Sequence, residues 1–140
     1  MDAKGGLVAT WSEYDAMAAR FAPNGALLGK KILVSRLPAD QNQLYPVVSL
    51  LPGGGFVVVW TDTDQRDGSG WGLYGRTFAA DGTPVSDDLR INVTTAGHQY
   101  WPAIASRPQG PVVVVWNQQT GTAGQLKTDF FARILVPASP

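Results

Sequence analysis

Residues 45–60 read YPVVSLLPGGGFVVVW, and residues 101–116 read WPAIASRPQGPVVVVW. The two stretches begin 56 residues apart and place Pro46 over Pro102 and Trp60 over Trp116. A third, partial copy comes earlier, where GGLVATW (5–11) matches GGFVVVW (54–60). Self-similarity at a fixed spacing indicates a repeated structural unit, and here it decides the fold class.

Two further phrases recur downstream of the repeat tryptophans, one in three copies and the other in two. One set is MAARFAPNG (17–25), YGRTFAADG (74–82) and FFARIL (130–135), and the other is KKILVS (30–35) and DLRINV (88–93). The unit is therefore about fifty residues long, with four short apolar segments separated by turns. The 140 residues form a single domain by length. It divides into a partial repeat (1–42), a full repeat (43–98) and a second partial repeat (99–140).

The apolar segments are predicted to be β-strands. Residues 57–59 and 112–115 are all valine, and β-branched side chains favour a pleated sheet. Their continuity, rather than alternation, indicates strands that are covered on both faces. The full repeat is predicted to contain strands 45–51, 55–62, 72–79 and 88–94, with a proline at the start of its first strand and at the equivalent place in the next repeat.

The two ends of the chain fall inside the repeating unit. The first strand of the first repeat is missing because the chain begins with strand 5–12, and the last strand of the third repeat is missing because the chain stops after strand 127–136. This gives ten strands and no helix. The segment SEYDAMAARFA (12–22) has helical composition, but its register with the other repeats predicts a strand.

Composition excludes several kinds of partner and site. Eleven basic and eleven acidic residues give no net charge, so the positive field needed for nucleic acid or an anionic membrane is absent. Cysteine is absent, which excludes disulfides and zinc–thiolate sites. No run approaches the ~20 apolar residues of a membrane span. The N-terminus MDAKGGLVATW lacks the layout of a signal peptide, so a secretion signal is expected to lie outside this chain.

Three phrases of the full repeat resemble a known class of sequence: GGFVVVW (54–60), DGSGWGLYGRTF (67–78) and INVTTAGHQYWP (91–102). They look like the tandem repeats of large secreted bacterial proteins, including adhesin-like and hemolysin-type calcium-binding ones. The match is strongest over 53–104 and weakest at 117–128. Such repeats are similar in strand pattern to four-stranded β-propeller blades. The resemblance implies an extracellular, recognition-type role at the cell surface or beyond it, and it transfers no catalytic residues.

We therefore expect an all-β fold of propeller-like blades. Propellers typically have four to eight blades, whereas this chain has between two and three. It is then a piece of a longer array, or several chains complete one ring, or the three repeats close as a β-trefoil or a β-prism. The missing terminal strands leave unpaired edges, which favours a homo-oligomer that completes a ring.

The loop TDTDQRDGSGWG (61–72) is a candidate calcium site. Asp62, Asp64 and Asp67 offer hard oxygen ligands beside flexible glycines. The spacing does not fit an EF-hand loop, and the other two repeats lack these carboxylates. The competing interpretation is a hairpin loop that uses Asp and Gly as turn residues. No other cofactor is indicated.

The aromatic residues suggest a binding surface. The tryptophans at equivalent repeat positions, Trp11, Trp60 and Trp116, are predicted to pack between repeats. The candidates for ligand contact are Trp71, Tyr74, Tyr100, Trp101 and Tyr45. An exposed ring beside amides and carboxylates is typical of a sugar-binding surface, where the ring stacks on the pyranose face. Partly buried packing aromatics are the alternative.

Catalysis has little support in the sequence. His98 is the only histidine, and GSGWG lacks the spacing of a nucleophile elbow. A glycosidase could use two carboxylates alone, from Glu13 with Asp15 or Asp62 with Asp64. We expect a non-enzymatic, lectin-like extracellular module that binds carbohydrate or an extracellular protein through loops between strands. A structural segment of a repeat array and a small hydrolase are the alternatives.

Overall fold

In a computed structural model of the chain, the described residues are 5–36, 42–107 and 110–136. They form ten strands: β1 (Leu7–Glu13), β2 (Asp15–Phe21), β3 (Leu27–Leu33), β4 (Gln43–Leu50), β5 (Phe56–Asp62), β6 (Gly72–Phe78), β7 (Leu89–Arg90), β8 (His98–Ser106), β9 (Val112–Thr120) and β10 (Lys127–Leu135). The predicted number of strands is confirmed, as is the strand assignment of residues 15–21. The prediction of no helix is wrong at one place, the single 3-10 turn Pro52–Gly54.

The strands form three antiparallel sheets in chain order. The first sheet has the order β1-β2-β3, the second β4-β5-β6-β7, and the third β8-β9-β10. Within each sheet, every strand pairs with the next one along the chain, which short turns such as Asn24-Gly25 and Asp81-Gly82 permit. The all-β prediction is confirmed at the level of three antiparallel sheets of three to four strands.

The second sheet lies between the other two. One buried cluster joins the first and second sheets and contains Phe56, Val58 and Trp60, while another joins the second and third sheets and contains Val57 and Val59. Every residue of β5 is buried, because successive side chains of a strand point to opposite faces. The predicted burial of 57–59 on both faces is therefore confirmed.

Strand β9 behaves differently from β5. Its residues alternate between buried and exposed, with Val113 at 36% and Val115 at 44% exposure. The prediction that 112–115 is covered on both faces is wrong for the described chain, because no described sheet lies beyond the third one.

The tryptophan of each repeat marks one face of its sheet. Trp60 and Trp116 are buried and point toward the preceding sheet, within the first and second clusters respectively. Their predicted packing role is confirmed. Trp11 is half-buried, and it lies on the face of the first sheet that points away from the second.

The boundaries of three strands differ from prediction. Strand β7 has only two residues, so residues 88–94 are mostly irregular. Strands β4 and β8 begin before their prolines, and Pro46 and Pro102 lie instead within register shifts of those strands. A bulge leaves residues outside the ladder of hydrogen bonds, so the missing N–H of proline is tolerated there. Within the described residues, no helix has the length and apolar character required to cross a membrane.

Candidate functional site

Four of the five predicted ligand-binding aromatics form a continuous row at one end of the sheets. The Tyr45 and Trp101 rings meet edge to face with centroids 6.2 Å apart. Tyr100 meets Trp101 in the same way at 5.0 Å, and Trp71 meets Tyr100 at 6.3 Å. Edge-to-face contact at these distances is the favoured geometry of aromatic pairs. We call these four residues the aromatic shelf.

The shelf arises where β4 and β8, the first strands of two successive sheets, begin. Tyr45 and Trp101 occupy equivalent positions, each immediately before the proline of its strand. Both have positive φ, 53° and 54° respectively, and both fall within the register shifts. A bulge re-aims a side chain, and here it leaves Tyr45 at 47% and Trp101 at 56% exposure. Left-handed backbone at a bulky residue costs on the order of 1–3 kcal/mol and clusters at functional sites.

Trp71 is fixed to the start of β8 by its backbone. Its N–H donates to Nδ1 of His98 at 3.3 Å, and its carbonyl accepts from the N–H of Gln99 at 2.9 Å. The Trp71 and His98 rings also meet edge to face at 5.3 Å. Gly70 permits this approach, since a Cβ there would lie 2.3 Å from the carbonyl oxygen of Gly97. The loop after β5 is therefore anchored to the third sheet.

A buried amide network lies beneath this junction. Nδ2 of Asn92 donates to Oδ2 of Asp67 at 2.8 Å and to Oε1 of Gln99 at 3.0 Å. Oδ1 of Asn92 accepts from the N–H of Leu73 at 2.8 Å, and Nε2 of Gln99 donates to the carbonyl of Ala96 at 2.9 Å. Because buried polar groups that are fully hydrogen-bonded rigidify their surroundings, the network holds the shelf in place.

Tyr74 does not belong to the shelf. It is only 6% exposed and lies in the cluster between the first and second sheets. There its ring stacks on Trp60 at 6.4 Å, and the guanidinium of Arg66 lies 4.2 Å from its centroid. The prediction of Tyr74 as a ligand contact is wrong, because its register opposite Trp60 puts it on the buried face of β6.

The carboxylates of two of the three predicted calcium ligands, Asp62 and Asp67, are engaged by protein groups. Asp62 is fully buried and ion-paired to Arg66 at 3.0 Å, and its Oδ1 accepts from the N–H of Asp64. Asp67 accepts from Asn92 and from the N–H of Ser69. Among the described residues there is no group of three or more His, Asp or Glu side chains that could hold a metal ion. The turn interpretation accounts for this loop, and Asp62, Asp64 and Asp67 do not converge on one point.

Arg66 is the centre of a buried ion-pair cluster between the first two sheets. Besides Asp62, it pairs with Asp88 at 3.1 Å, and Asp88 also accepts from the hydroxyl of Ser35 at 3.2 Å. Burial alone would lower the pKa of Arg66, but the hydrogen bonds and charge of Asp62, followed by those of Asp88, raise it. The guanidinium is therefore a permanent cation that locks the loop after β5 onto the sheets.

The two carboxylate pairs considered for catalysis are not arranged as acid and base. Glu13 accepts from the indole N–H of Trp11 at 3.2 Å and pairs with Lys31 at 3.4 Å. The Trp11 hydrogen bond, followed by Lys31, lowers the pKa of Glu13, whereas a general acid needs a raised pKa. In the other pair, the carboxylate of Asp62 is buried and ion-paired with Arg66.

Three residues near the shelf were not predicted as part of a site. His98 accepts a hydrogen bond from the N–H of Trp71 and so orients that residue. Asn117 pairs across the sheet with Tyr100, and Gln119 pairs with His98; both amides are partly exposed. Residues directly opposite on an antiparallel pair share a face, so these amides stand beside the rings.

The shelf is an open surface. Two grooves of about 500 and 580 Å³ lie elsewhere. The first is bordered by Arg76, Asp88 and Ile134 of the second and third sheets, and the second by Leu7, Phe21 and Leu50 of the first two sheets. No shelf residue borders either groove. We regard the shelf as the better site, because it combines exposed rings, backbone strain and adjacent amides.

Comparison with known proteins gives one structural similarity. No family model matches the sequence, and no curated protein matches it. The chain is similar to the crystal structure of an endo-arabinase from Bacteroides thetaiotaomicron VPI-5482, with a TM-score of 0.50 and 13% sequence identity. The similarity covers 94% of this chain and 51% of that one, so this chain spans about half the length of the endo-arabinase. At this identity the similarity concerns the all-β fold.

Proposed function

We propose that this chain is a non-enzymatic extracellular module that binds carbohydrate on the aromatic shelf. The observation that carries the proposal is the continuous row of Tyr45, Trp101, Tyr100 and Trp71, in which Tyr45 and Trp101 are strained into exposed positions. The extracellular assignment rests on the resemblance to secreted repeat proteins. An extracellular protein partner is the other candidate ligand.

The chemistry of the shelf suits sugars. A ring face stacks on the apolar face of a pyranose, while amides bind its hydroxyls, and Asn117 and Gln119 supply such amides beside Tyr100 and His98. The row joins two sheets, so it presents several rings in sequence. This arrangement favours an oligosaccharide chain over a single sugar.

The arrangement of the sheets supports a propeller-like scaffold for this site. Successive sheets of three to four strands stack face to face, and the shelf lies where the first strands of the second and third sheets begin together. Loops at one end of such a scaffold can vary without disturbing its core. We propose that the three sheets are propeller-like blades and that the shelf lies at one end of the blade stack.

The proposal is tested by binding. Wild-type protein is screened on a glycan array and on soluble polysaccharides, including arabinose-containing ones because the similar protein is an endo-arabinase. Trp71→Ala and Trp101→Ala should each weaken binding by about thirtyfold, since truncation of a central aromatic costs about 2 kcal/mol. Tyr14→Ala is the matched control: Tyr14 is exposed, has positive φ and makes no ring contact with the shelf. Unchanged binding in both Trp variants would contradict the proposal.

Hydrolysis is the second candidate, and the similarity to an endo-arabinase favours testing it. It predicts new reducing ends in the same polysaccharides, lost on removing Glu13, Asp15, Asp62 or Asp64. The low pKa of Glu13 and the ion pair of Asp62 argue for binding without cleavage. If the chain is instead a structural segment of a repeat array, neither binding nor cleavage is expected.

A further inference from the structure

We propose that two copies of this chain assemble head to tail, with the outer face of the first sheet of each copy packed on the outer face of the third sheet of the other. This inference goes beyond the proposed function and does not depend on it. The fold already packs these two kinds of face on each other twice, between the first and second sheets and between the second and third sheets. The two outer faces are one face of each kind.

The face that each sheet turns toward the preceding sheet has a common pattern, and we call it the Trp face. In every sheet the repeat tryptophan pairs directly with a large residue of the following strand: Trp11 with Met17, Trp60 with Tyr74, and Trp116 with Phe131. The Trp faces of the second and third sheets are packed on their neighbours. The Trp face of the first sheet is open, with Leu7, Leu27 and Leu33 at 37%, 50% and 43% exposure.

The opposite face, which we call the Val face, has its own pattern. A β-branched residue of the second strand of the repeat pairs with a small residue of the next: Thr10 with Ala18, Val59 with Gly75, and Val115 with Ala132. The small residue leaves room for the following sheet. Ala18 is fully buried by the second sheet, whereas Val115 and Ala132 are exposed.

The open Val face on the third sheet has an apolar part and a polar part. The polar part contains Asn117 and Gln119, beside the aromatic shelf. The apolar part consists of Ala103, Ala105, Val113, Val115, Phe130, Ala132 and Ile134. Phe130 and Ile134 are 82% and 64% exposed. Contiguous exposed apolar surface of this kind marks an interaction site. One chain therefore ends in an open Trp face on one side and an open Val face on the other.

One chain carries both kinds of open face, and this identifies the partner as another copy. At each internal joint an arginine on the Trp face donates to a main-chain carbonyl just after the last strand of the preceding sheet: Arg76 to Val34 at 3.1 Å and Arg133 to Ile91 at 2.9 Å. In the first sheet this position is Ala19, as its pairing with Ala9 shows. A joint between two copies therefore lacks this arginine hydrogen bond and is expected to rest on apolar contact.

The number of copies follows from head-to-tail geometry and from the size of the fold. A contact between two different faces closes into a ring when the rotation permits it, and two copies then bury both open faces of each chain. This chain matches about half of the endo-arabinase chain, 51% of its length, so two copies supply a comparable amount of folded chain. We commit to a closed two-copy ring.

Light scattering on a sizing column tests the assembly at micromolar concentration. The expected mass is twice 14.9 kDa, or about 30 kDa. Val115→Lys on the Val face and Leu33→Glu on the Trp face should each yield a monomer with an unchanged circular dichroism spectrum. Phe130→Lys and Leu27→Glu serve the same purpose if the first pair fails to fold. Val93→Glu is the control, because Val93 is 72% exposed and lies outside both faces.

Mixing the two variants distinguishes head-to-tail contact from a symmetric one. A Val-face variant retains its Trp face, and a Trp-face variant retains its Val face. The mixture should therefore recover a dimer through one intact joint. A monomeric wild-type protein, a larger closed oligomer, or dissociation by substitutions on only one face would overturn the proposal.

Discussion

The rings of Tyr45 and Trp101 meet edge to face at 6.2 Å, and both residues have left-handed backbone at the same position of two successive repeats. Neither residue is a glycine, so both repeats keep a strained backbone conformation that only glycine would relieve. The strain lies at the bulge that turns each ring to the surface. This relationship connects the repeat, the bulge and the proposed binding surface.

The backbone strain at Trp101 separates two substitutions that remove the same ring. Trp101→Gly should be more stable than Trp101→Ala by about 1 kcal/mol, because only glycine adopts positive φ without steric cost. Urea denaturation measures the difference. Equal stability of the two variants would show that the left-handed conformation is not retained, whereas loss of carbohydrate binding is expected in both.

Arg66 is expected to be essential for stability. Arg66→Met leaves the buried carboxylate of Asp62 without its cation and Asp88 with only Arg76 at 4.0 Å, and loss of one partner of a buried pair costs about 3–5 kcal/mol. Arg36→Met is the matched control, since Arg36 pairs with Asp87 on the surface and such pairs contribute under about 1 kcal/mol. Similar losses in both variants, measured by urea denaturation, would contradict the cluster described for Arg66.

Tyr74 should make the fold sensitive to alkaline pH. Its burial raises its pKa; the charge of Arg66 opposes this effect, and that of Asp67 adds to it. Because the pKa of Tyr74 is higher in the folded state than in the unfolded state, the neutral ring contributes fully to stability below the ordinary tyrosine pKa of about 10. That contribution is lost as pH rises through the raised pKa. Tyr74→Phe cannot ionise, so its stability should fall less steeply above pH 10. Identical alkaline profiles of the two proteins would argue against this burial.

Calcium is expected to leave stability unchanged. The carboxylates of Asp62 and Asp67 are engaged by Arg66 and Asn92, and a ligand stabilises a fold only if it binds the folded state. A calcium site would add about 2.7 kcal/mol to the free energy of unfolding when the calcium concentration is 100 times its Kd. Thermal melts in millimolar calcium and in chelator should therefore coincide, and a higher Tm in calcium would restore Asp62, Asp64 and Asp67 as a candidate site.

The strands could be predicted because the repeat consists of β-branched and aromatic runs, which favour a sheet. Three copies of an apolar run ending in tryptophan, with turn dipeptides at matching places, lead to ten strands. The limit of this reasoning is visible in β9: its valines match those of β5, but a strand is covered on both faces only if another sheet follows. Periodicity describes the strand and not what lies beyond its sheet.

The site was predictable in part for the same reason. Tyr45 and Trp101 align in the repeat, which marks them as equivalent, and Trp71 departs from it. Tyr74 could have been excluded, since its repeat equivalents are Met17 and Phe131, both on Trp faces. The contact between Trp71 and His98 joins the loop after β5 to the first residue of β8 in the next sheet, and no local pattern in the sequence signals it.

The most direct test of the aromatic shelf is the indole region of the nitrogen–proton NMR spectrum during titration with a bound oligosaccharide. The chain has five tryptophans, and two of them, Trp71 and Trp101, lie in the shelf. Two indole signals should shift, and Trp71→Ala and Trp101→Ala should each remove one of them. Shifts confined to Trp11, Trp60 or Trp116 would place the ligand elsewhere and contradict the proposed function.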